Sequence, residues 1–135
     1  LAGSSCRILG DKQMIEELIY NLCDNAMSYN VVGGSVLVSV EQEQKAAVLR
    51  VKDTGIGIPK EHQERIFERF YRVDKSRSKS TGGTGLGLAI VKHIVAVHQA
   101  EISLISETNQ GTEVIVVFDG NNPTAGLRNV PNAPI

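Results

Sequence analysis

Residues 53–59 read Asp53-Thr-Gly-Ile-Gly-Ile-Pro59 and follow a segment, Ala46–Lys52, with the residue pattern of a β-strand. An acidic residue at a strand end, followed by two glycines, places a carboxylate beside backbone that can approach a ligand closely. A buried carboxylate accepts a hydrogen bond from an exocyclic amino group such as that of adenine. Because Asp-x-Gly is also common in plain turns after strands, this stretch alone leaves both interpretations open.

A long helix is predicted on each side of this segment. The first begins at Asp11, whose carboxylate can cap the helix N-terminus. Its apolar residues recur at three- and four-residue steps, which indicates one buried face: Met14, Ile15, Leu18, Ile19, Leu22 and Ala26. The second helix runs from about Leu86 to His98 and is preceded by the glycine-rich run Gly82-Gly-Thr-Gly-Leu-Gly-Leu88. The unpaired N–H groups of a helix N-terminus suit a phosphate group.

This glycine-rich run differs from two common nucleotide-binding motifs. No Gly-Lys-Ser/Thr follows it, as a Walker P-loop requires, and no strand precedes it, as a Rossmann fingerprint requires.

The remaining segments predict an α/β two-layer sandwich, in which a mixed sheet of about five strands is covered on one face by about three helices. Strand patterns occur at Ser35–Val40, Ala46–Lys52, Glu101–Ser106 and Thr112–Phe118. Pro59 is expected to open a short helix that runs to about Phe70. Residues 72–85 are expected to form a long mobile loop. Residues 1–120 are expected to form one domain and residues 121–135 a disordered tail.

The composition excludes several classes of protein. With 135 residues the chain suits one domain, and its net charge of −1 gives no electrostatic reason to bind nucleic acid or a membrane surface. No apolar run approaches the roughly 20 residues of a membrane-spanning helix, and residues 1–10 lack a secretory signal pattern. We therefore expect a cytosolic segment in which Cys6 and Cys23 are free thiols.

Asn21, Asn25 and Ser28 share a second face of the first helix, at steps of four and three residues. Amide oxygens are hard, neutral ligands that suit a Mg²⁺ ion already shared with phosphate oxygens. An isolated pair of asparagines would more simply be explained as polar residues on a solvated surface.

Taken in order, these segments resemble the catalytic ATP-binding domain of bacterial sensor histidine kinases, known as HATPase_c. Asn21–Ala26 resembles the N box of that family, and Arg65–Lys75 resembles its F box with the start of the ATP lid. The resemblance covers about residues 7 to 118 and includes the aspartate and glycine motifs. It implies the Bergerat fold of the GHKL superfamily, shared with DNA gyrase, Hsp90 and MutL, with ATP and Mg²⁺ as cofactors.

The resemblance also implies a set of functional residues. Asp53 would read adenine, Asn25 would hold the metal, and Asn21 and Arg72 would act in catalysis. The residues expected to contact the nucleotide are Asn21, Asn25, Tyr29, Asp53, Gly55, Gly57, Ile58, Arg69, Arg72, Lys75, Thr84, Gly85, Leu86, Gly87, Leu88 and Thr112. Thr112 would support the adenine contact through a water molecule.

Asn21 separates the branches of the superfamily. Gyrase-like ATPases and anti-sigma serine kinases carry a general-base glutamate there, whereas an amide takes up no proton at neutral pH. A histidine acceptor is already a nucleophile, so Asn21 favours a phosphotransferase over an ATPase. Two alternatives stay open: a stand-alone kinase of the anti-sigma serine type, and a degenerate module that serves only as a docking surface.

The favoured interpretation is a protein-histidine kinase catalytic domain. It would donate the γ-phosphate of ATP to a histidine on a separate dimerisation domain of the same protein, with a response regulator downstream. His62, His93 and His98 lack the sequence context of that acceptor, so each is expected to be a surface or helix-end residue. The fragment alone should not autophosphorylate, and the parent is expected to be a bacterial plasma-membrane sensor.

Two positions depart from the family pattern. Ser28 stands where a lysine or arginine commonly contacts phosphate. Without that charge, nucleotide affinity or phosphoryl transfer would depend more on the cations of the lid. The usual His-Gly-Gly turn after the second long helix reads His98-Gln99-Ala100 and is expected to matter for structure only.

Overall fold

The computed structural model describes residues 10–68, 71 and 86–119, together with residue 8 and the backbone of residues 2–3. These residues form a five-stranded sheet with the strand order β1-β2-β3-β5-β4. The strands are β1 (Ala2–Gly3), β2 (Val36–Glu43), β3 (Ala46–Asp53), β4 (Glu101–Glu107) and β5 (Gly111–Asp119). Only β1 pairs in parallel, with β2, so among the described strands the sheet is mixed, as the sequence predicted.

Three helices accompany the sheet in the described part of the chain: α1 (Lys12–Ser28), α2 (Lys60–Gln63) and α3 (Gly87–Val97). The long helices α1 and α3 pack against each other, and α1 contacts β2 and β3 while α3 contacts β4. Residues from both helices and the central strands form one core, whose fully buried side chains include Leu18, Val91, Ile94 and Val116. No helix within these described residues is long and apolar enough to cross a membrane.

The predicted start of α1 and both predicted ends of α3 are confirmed. Asp11 caps α1, since its carboxylate accepts a hydrogen bond from the Met14 N–H at 3.1 Å. Leu86 and His98 flank α3 as its cap residues.

The helix predicted from Pro59 to about Phe70 is much shorter in the structure. α2 ends at Gln63, and the backbone continues in turns. In these turns the N–H groups of Arg65, Glu68 and Tyr71 each bond to the carbonyl three residues earlier rather than four. Successive bonds of this kind form tight turns and do not propagate an α-helix.

His98 connects the end of α3 to the start of α1. Its Nδ1 lies 2.8 Å from the Ile94 carbonyl oxygen, which only accepts, so Nδ1 carries the proton. Its Nε2 then accepts a hydrogen bond from the Asp11 N–H at 3.1 Å. The ring is only 7% exposed and stands edge-on to Phe118. His98 is therefore a helix-end residue, as expected, but one that is buried and bonded at both nitrogens.

The turn after α3 is a Schellman motif, in which the Ala100 N–H bonds to the Val95 carbonyl and the Gln99 N–H to the Ala96 carbonyl. Gln99 occupies the left-handed position of this motif with φ of 50°. Glycine is the usual residue there, because a β-carbon makes this conformation costly.

Gln99→Gly should therefore raise the free energy of unfolding by about 0.5–1 kcal/mol, the left-handed penalty less the added entropy of the unfolded chain. Urea denaturation followed by circular dichroism measures the change. Gln110→Gly is the matched control, since Gln110 also lies in an exposed turn but not at positive φ. A Gln99→Gly variant no more stable than the parent would contradict this account.

His98→Ala should lower the free energy of unfolding by about 2–4 kcal/mol, because it removes a buried ring and leaves the Asp11 N–H without its acceptor. The same denaturation assay applies, and His93→Ala is the control, since His93 is exposed on the same helix. Equal losses for the two variants would show that the His98 bonds contribute nothing.

Candidate functional site

Asp53 is the last residue of β3 and is 7% exposed. Its Oδ1 accepts two backbone hydrogen bonds, from the Gly55 N–H at 2.8 Å and the Thr112 N–H at 3.3 Å. Its Oδ2 has no hydrogen-bond partner among the described residues. Burial raises the pKa of the carboxyl group, while the two N–H donors act in the opposite direction and only partly offset the shift. The site thus holds a buried acceptor oxygen without a protein donor in the described region.

The loop after Asp53 passes between the end of α1 and the β4–β5 turn. The Ile56 N–H bonds to the Tyr29 carbonyl at 3.1 Å, and the Ile56 carbonyl accepts from the Asn109 N–H at 2.7 Å. A β-carbon at Gly55 would overlap the Tyr29 carbonyl oxygen. Gly57 has φ of 72°, and a β-carbon there would overlap the Glu107 carbonyl oxygen. Both glycines are therefore required by close backbone contacts, which a plain solvent-exposed turn does not have.

A chain of hydrogen bonds joins this loop to β4 and β5. The Ile58 N–H donates to Ser106 Oγ at 2.8 Å, and Ser106 Oγ lies 2.7 Å from Thr112 Oγ1. Thr112 is 9% exposed and pairs directly with Asp53 across the sheet. The sequence interpretation did not include Ser106. The alternation of β4, which places Ile102 and Leu104 in the core, gives Ser106 the same inward position and could have identified it.

Asn21 and Asn25 lie one turn apart on α1, both half-buried. Asn21 Nδ2 donates to the Glu17 carbonyl at 2.8 Å, which directs its Oδ1 away from that carbonyl. This oxygen faces the start of α3, since a β-carbon built on Gly87 would lie 3.3 Å from it. The Asn25 side chain makes no hydrogen bond to another described residue. Within the described region, the Asn25 amide oxygen one turn further along the helix therefore has no protein donor.

The described candidate residues fall into two groups joined by α1. Asp53, Gly55, Gly57, Ile58 and Thr112 surround the strand end, and Tyr29 borders them from the end of α1. Two turns nearer the N-terminus, at the middle of α1, Asn21 lies beside the start of α3, where Leu86, Gly87 and Leu88 form the first turn. The eight residue steps from Asn21 to Tyr29 correspond to about 12 Å of helix.

Five expected contacts lie outside the described residues: Arg69, Arg72, Lys75, Thr84 and Gly85. The loop predicted at residues 72–85, the tail predicted at 121–135 and Cys6 lie outside them as well. Cys23 is described, and it is a free, partly buried thiol whose pKa is raised by burial.

Comparisons with known proteins identify the family of this domain. A family model described as "Histidine kinase-, DNA gyrase B-, and HSP90-like ATPase" (HATPase_c) matches residues 10–122. The Sensor-like histidine kinase SenX3 of Mycolicibacterium smegmatis is 48% identical over 111 residues, which are 82% of this chain and 29% of SenX3. The Signal transduction histidine-protein kinase ArlS of Staphylococcus aureus (strain USA300) is 40% identical over 118 residues, 87% of this chain and 26% of ArlS. The chain thus spans less than a third of these relatives.

Solved structures show the same architecture. The mycobacterial sensor histidine kinase MprB superimposes with a TM-score of 0.76 at 31% identity, over 88% of this chain and 78% of MprB. The catalytic domain of the histidine kinase ThkA superimposes with a TM-score of 0.74 at 25% identity, over 88% of this chain and 76% of that domain.

Asp53→Asn should stabilise the nucleotide-free protein at neutral pH. The raised pKa means that the native state holds the proton more tightly than the unfolded state, so ionisation above that pKa destabilises the fold. An asparagine keeps the Oδ1 acceptor and removes the buried charge. The gain should shrink as pH falls through the raised pKa and vanish below the unfolded value of about 3.9.

Urea denaturation of both proteins between pH 7 and pH 3 tests this sign. Asp24→Asn provides the control, since Asp24 is exposed on α1. A variant that is less stable than the parent at pH 7 would show that the Asp53 charge contributes favourably to the fold.

Proposed function

The chain belongs to the histidine kinase-, DNA gyrase B- and HSP90-like ATPase family, and we propose that it supplies the phosphoryl group in a two-component system. Within that family it is an ATP-binding catalytic domain of the sensor histidine kinase type. It would bind Mg²⁺·ATP and donate the γ-phosphoryl group to a histidine on a separate dimerisation domain. The observation that carries the proposal is the buried Asp53 carboxylate, whose second oxygen has no protein donor in the described region.

The residues around the strand end fit an adenine base. Asp53 Oδ2 is an acceptor, and the exocyclic amino group of adenine is a donor that complements it. The loop backbone lies close to the strand end, since the Gly55 N–H bonds to Asp53 Oδ1 at 2.8 Å. Tyr29 and Ile58 provide apolar surface that is half-buried at this position. We assign these residues to binding and orienting the base.

The second group, on the C-terminal half of α1 and at the start of α3, fits a triphosphate with its metal. Asn25 Oδ1 would be the protein ligand of Mg²⁺, and Asn21 Oδ1 would add a second hard oxygen near the start of α3. The N–H groups of the first turn of α3, at Gly87 and Leu88, suit phosphate oxygens. When bound, Mg²⁺ neutralises charge that develops on the transferred phosphoryl group. Lid residues outside the described region, Arg69, Arg72, Lys75, Thr84 and Gly85, would complete this end, with Arg72 as the catalytic cation.

Asn21 supports phosphoryl transfer over hydrolysis. Its Nδ2 already donates to the Glu17 carbonyl, and an amide oxygen takes up no proton at neutral pH. The residue would therefore position the phosphate end without activating water. This also argues against a serine kinase of the anti-sigma type, which needs a general base to deprotonate a hydroxyl group.

The acceptor histidine would come from outside this segment. His98 is buried and bonded at both nitrogens, and His62 contacts Tyr71, so neither is presented for transfer. His93 is exposed on α3, but it lacks the sequence context of a phosphoacceptor histidine. By itself the segment would bind nucleotide without autophosphorylating. We further propose that it is a cytoplasmic part of a bacterial membrane sensor and that a response regulator receives the phosphoryl group from the dimerisation domain.

Asp53→Asn should weaken binding of Mg²⁺·ATP analogues at least about tenfold, because an amide donor would replace the acceptor that faces the adenine amino group. Titration calorimetry with a non-hydrolysable analogue measures the change. Asp24→Asn, on the exposed face of α1, should bind as the parent does. Unchanged affinity in Asp53→Asn would refute the assignment of the base to this end of the site.

A further inference from the structure

We propose that Ser106 is a positioning residue that orients the Thr112 hydroxyl and thereby makes the site select a 6-amino purine over a 6-oxo purine. The inference rests on the proposed function, since it concerns how the same site reads a base. It assigns a role to a β4 residue that does not itself touch the base.

Ser106 has three hydrogen-bonding neighbours within 3.1 Å. The Ile58 N–H donates to its Oγ at 2.8 Å, the Gly111 carbonyl oxygen lies at 3.1 Å, and Thr112 Oγ1 lies at 2.7 Å. The Ile58 N–H is only a donor, and the Gly111 carbonyl is only an acceptor. A hydroxyl group offers one donor and two acceptor sites, so these neighbours limit how its proton is placed.

One arrangement satisfies every group in this chain. Ser106 donates to the Gly111 carbonyl and accepts from both the Ile58 N–H and the Thr112 hydroxyl. In the opposite arrangement Ser106 donates to Thr112 Oγ1 and leaves its contact with the Gly111 carbonyl unmade. Because the first arrangement makes three hydrogen bonds at Ser106 Oγ and the opposite one makes two, the first is favoured. The Thr112 proton then points to Ser106, and the lone pairs of Thr112 Oγ1 remain for a ligand.

This arrangement determines whether the two side chains proposed to read the base, Asp53 and Thr112, act as donors or acceptors; together they are called the base-reading edge. Asp53 and Thr112 are paired in the sheet register, and their side chains lie on the same face as the core residues Val51 and Val114. Asp53 Oδ2 and Thr112 Oγ1 would then both be acceptors. A 6-amino group, or a water molecule that donates two hydrogen bonds, complements such an edge. A 6-oxo group brings a third acceptor and is disfavoured.

Loss of the Ser106 hydroxyl would release the Thr112 proton. Without its acceptor at 2.7 Å, the Thr112 hydroxyl is free to rotate and donate toward the ligand. The edge would then offer one acceptor and one donor, and a 6-oxo purine would find a partner. The expected result is a loss of selectivity, which a uniformly loosened site would not produce.

The test compares the affinities of the protein for Mg²⁺·ADP and Mg²⁺·IDP, which differ at position 6 of the purine, by titration calorimetry. Ser106→Ala should reduce the preference for ADP by about three- to tenfold, the range of one hydrogen bond. Ser103→Ala is the matched control, an exposed outward-facing serine of the same strand. Ser106→Thr retains the hydroxyl group and should restore the preference.

Thr112→Val provides a second route, because it removes the hydroxyl itself while keeping the shape of the side chain. It should also reduce the preference, and adding Ser106→Ala to it should cause no further change. Equal weakening of ADP and IDP by Ser106→Ala, with an unchanged ratio, would overturn the inference and leave the proposed function standing. If the parent protein bound neither nucleotide, the proposed function would fail and the inference with it.

Discussion

The candidate site depends on one buried carboxylate at the end of a central strand. Asp53 is held by two backbone N–H groups, one from its own loop and one from the neighbouring strand. The first requires the tight loop at Gly55, and the second requires the register that pairs Asp53 with Thr112. These two bonds position the second carboxylate oxygen, which has no partner among the described residues. The register of the sheet and one loop therefore fix the position of the oxygen that is proposed to bind the base.

At Asp53 the requirements of folding stability and of ligand binding conflict. Burial raises the pKa of the Asp53 carboxyl group, so the charge that makes it a good acceptor is also unfavourable while no ligand donates a hydrogen bond to it. The apolar core formed by α1, α3 and the sheet stabilises the fold and so offsets the cost of burying this charge. A charged residue whose burial is unfavourable for folding is typical of a binding site rather than of a structural position.

The sequence was sufficient to predict those parts of the structure that depend on a periodic pattern or on neighbouring residues. The apolar steps of α1, the cap at Asp11 and the alternating strands predicted a sheet layer and a helix layer, and the family model confirms the kind of domain. Partners distant in sequence could not be predicted in this way. The bonds of His98 to Asp11 and of Ser106 to Ile58 span 87 and 48 residues and exist only once the sheet is assembled. The predicted length of α2 was wrong, because the turns that follow Gln63 have i to i−3 hydrogen bonds, and the amino-acid composition does not distinguish such turns from an α-helix.

The strand order has a consequence for how the domain folds. β5, the last described strand, lies between β3 and β4, so the sheet remains open at its centre until residue 119 is in place. Contacts between distant parts of a chain form slowly, because loop closure costs entropy before pairing contributes. Asp53 and Thr112, 59 residues apart, meet only in this closing step. During synthesis on the ribosome, an incomplete chain would therefore lack a base-reading site, and nucleotide binding would report that the domain had finished folding.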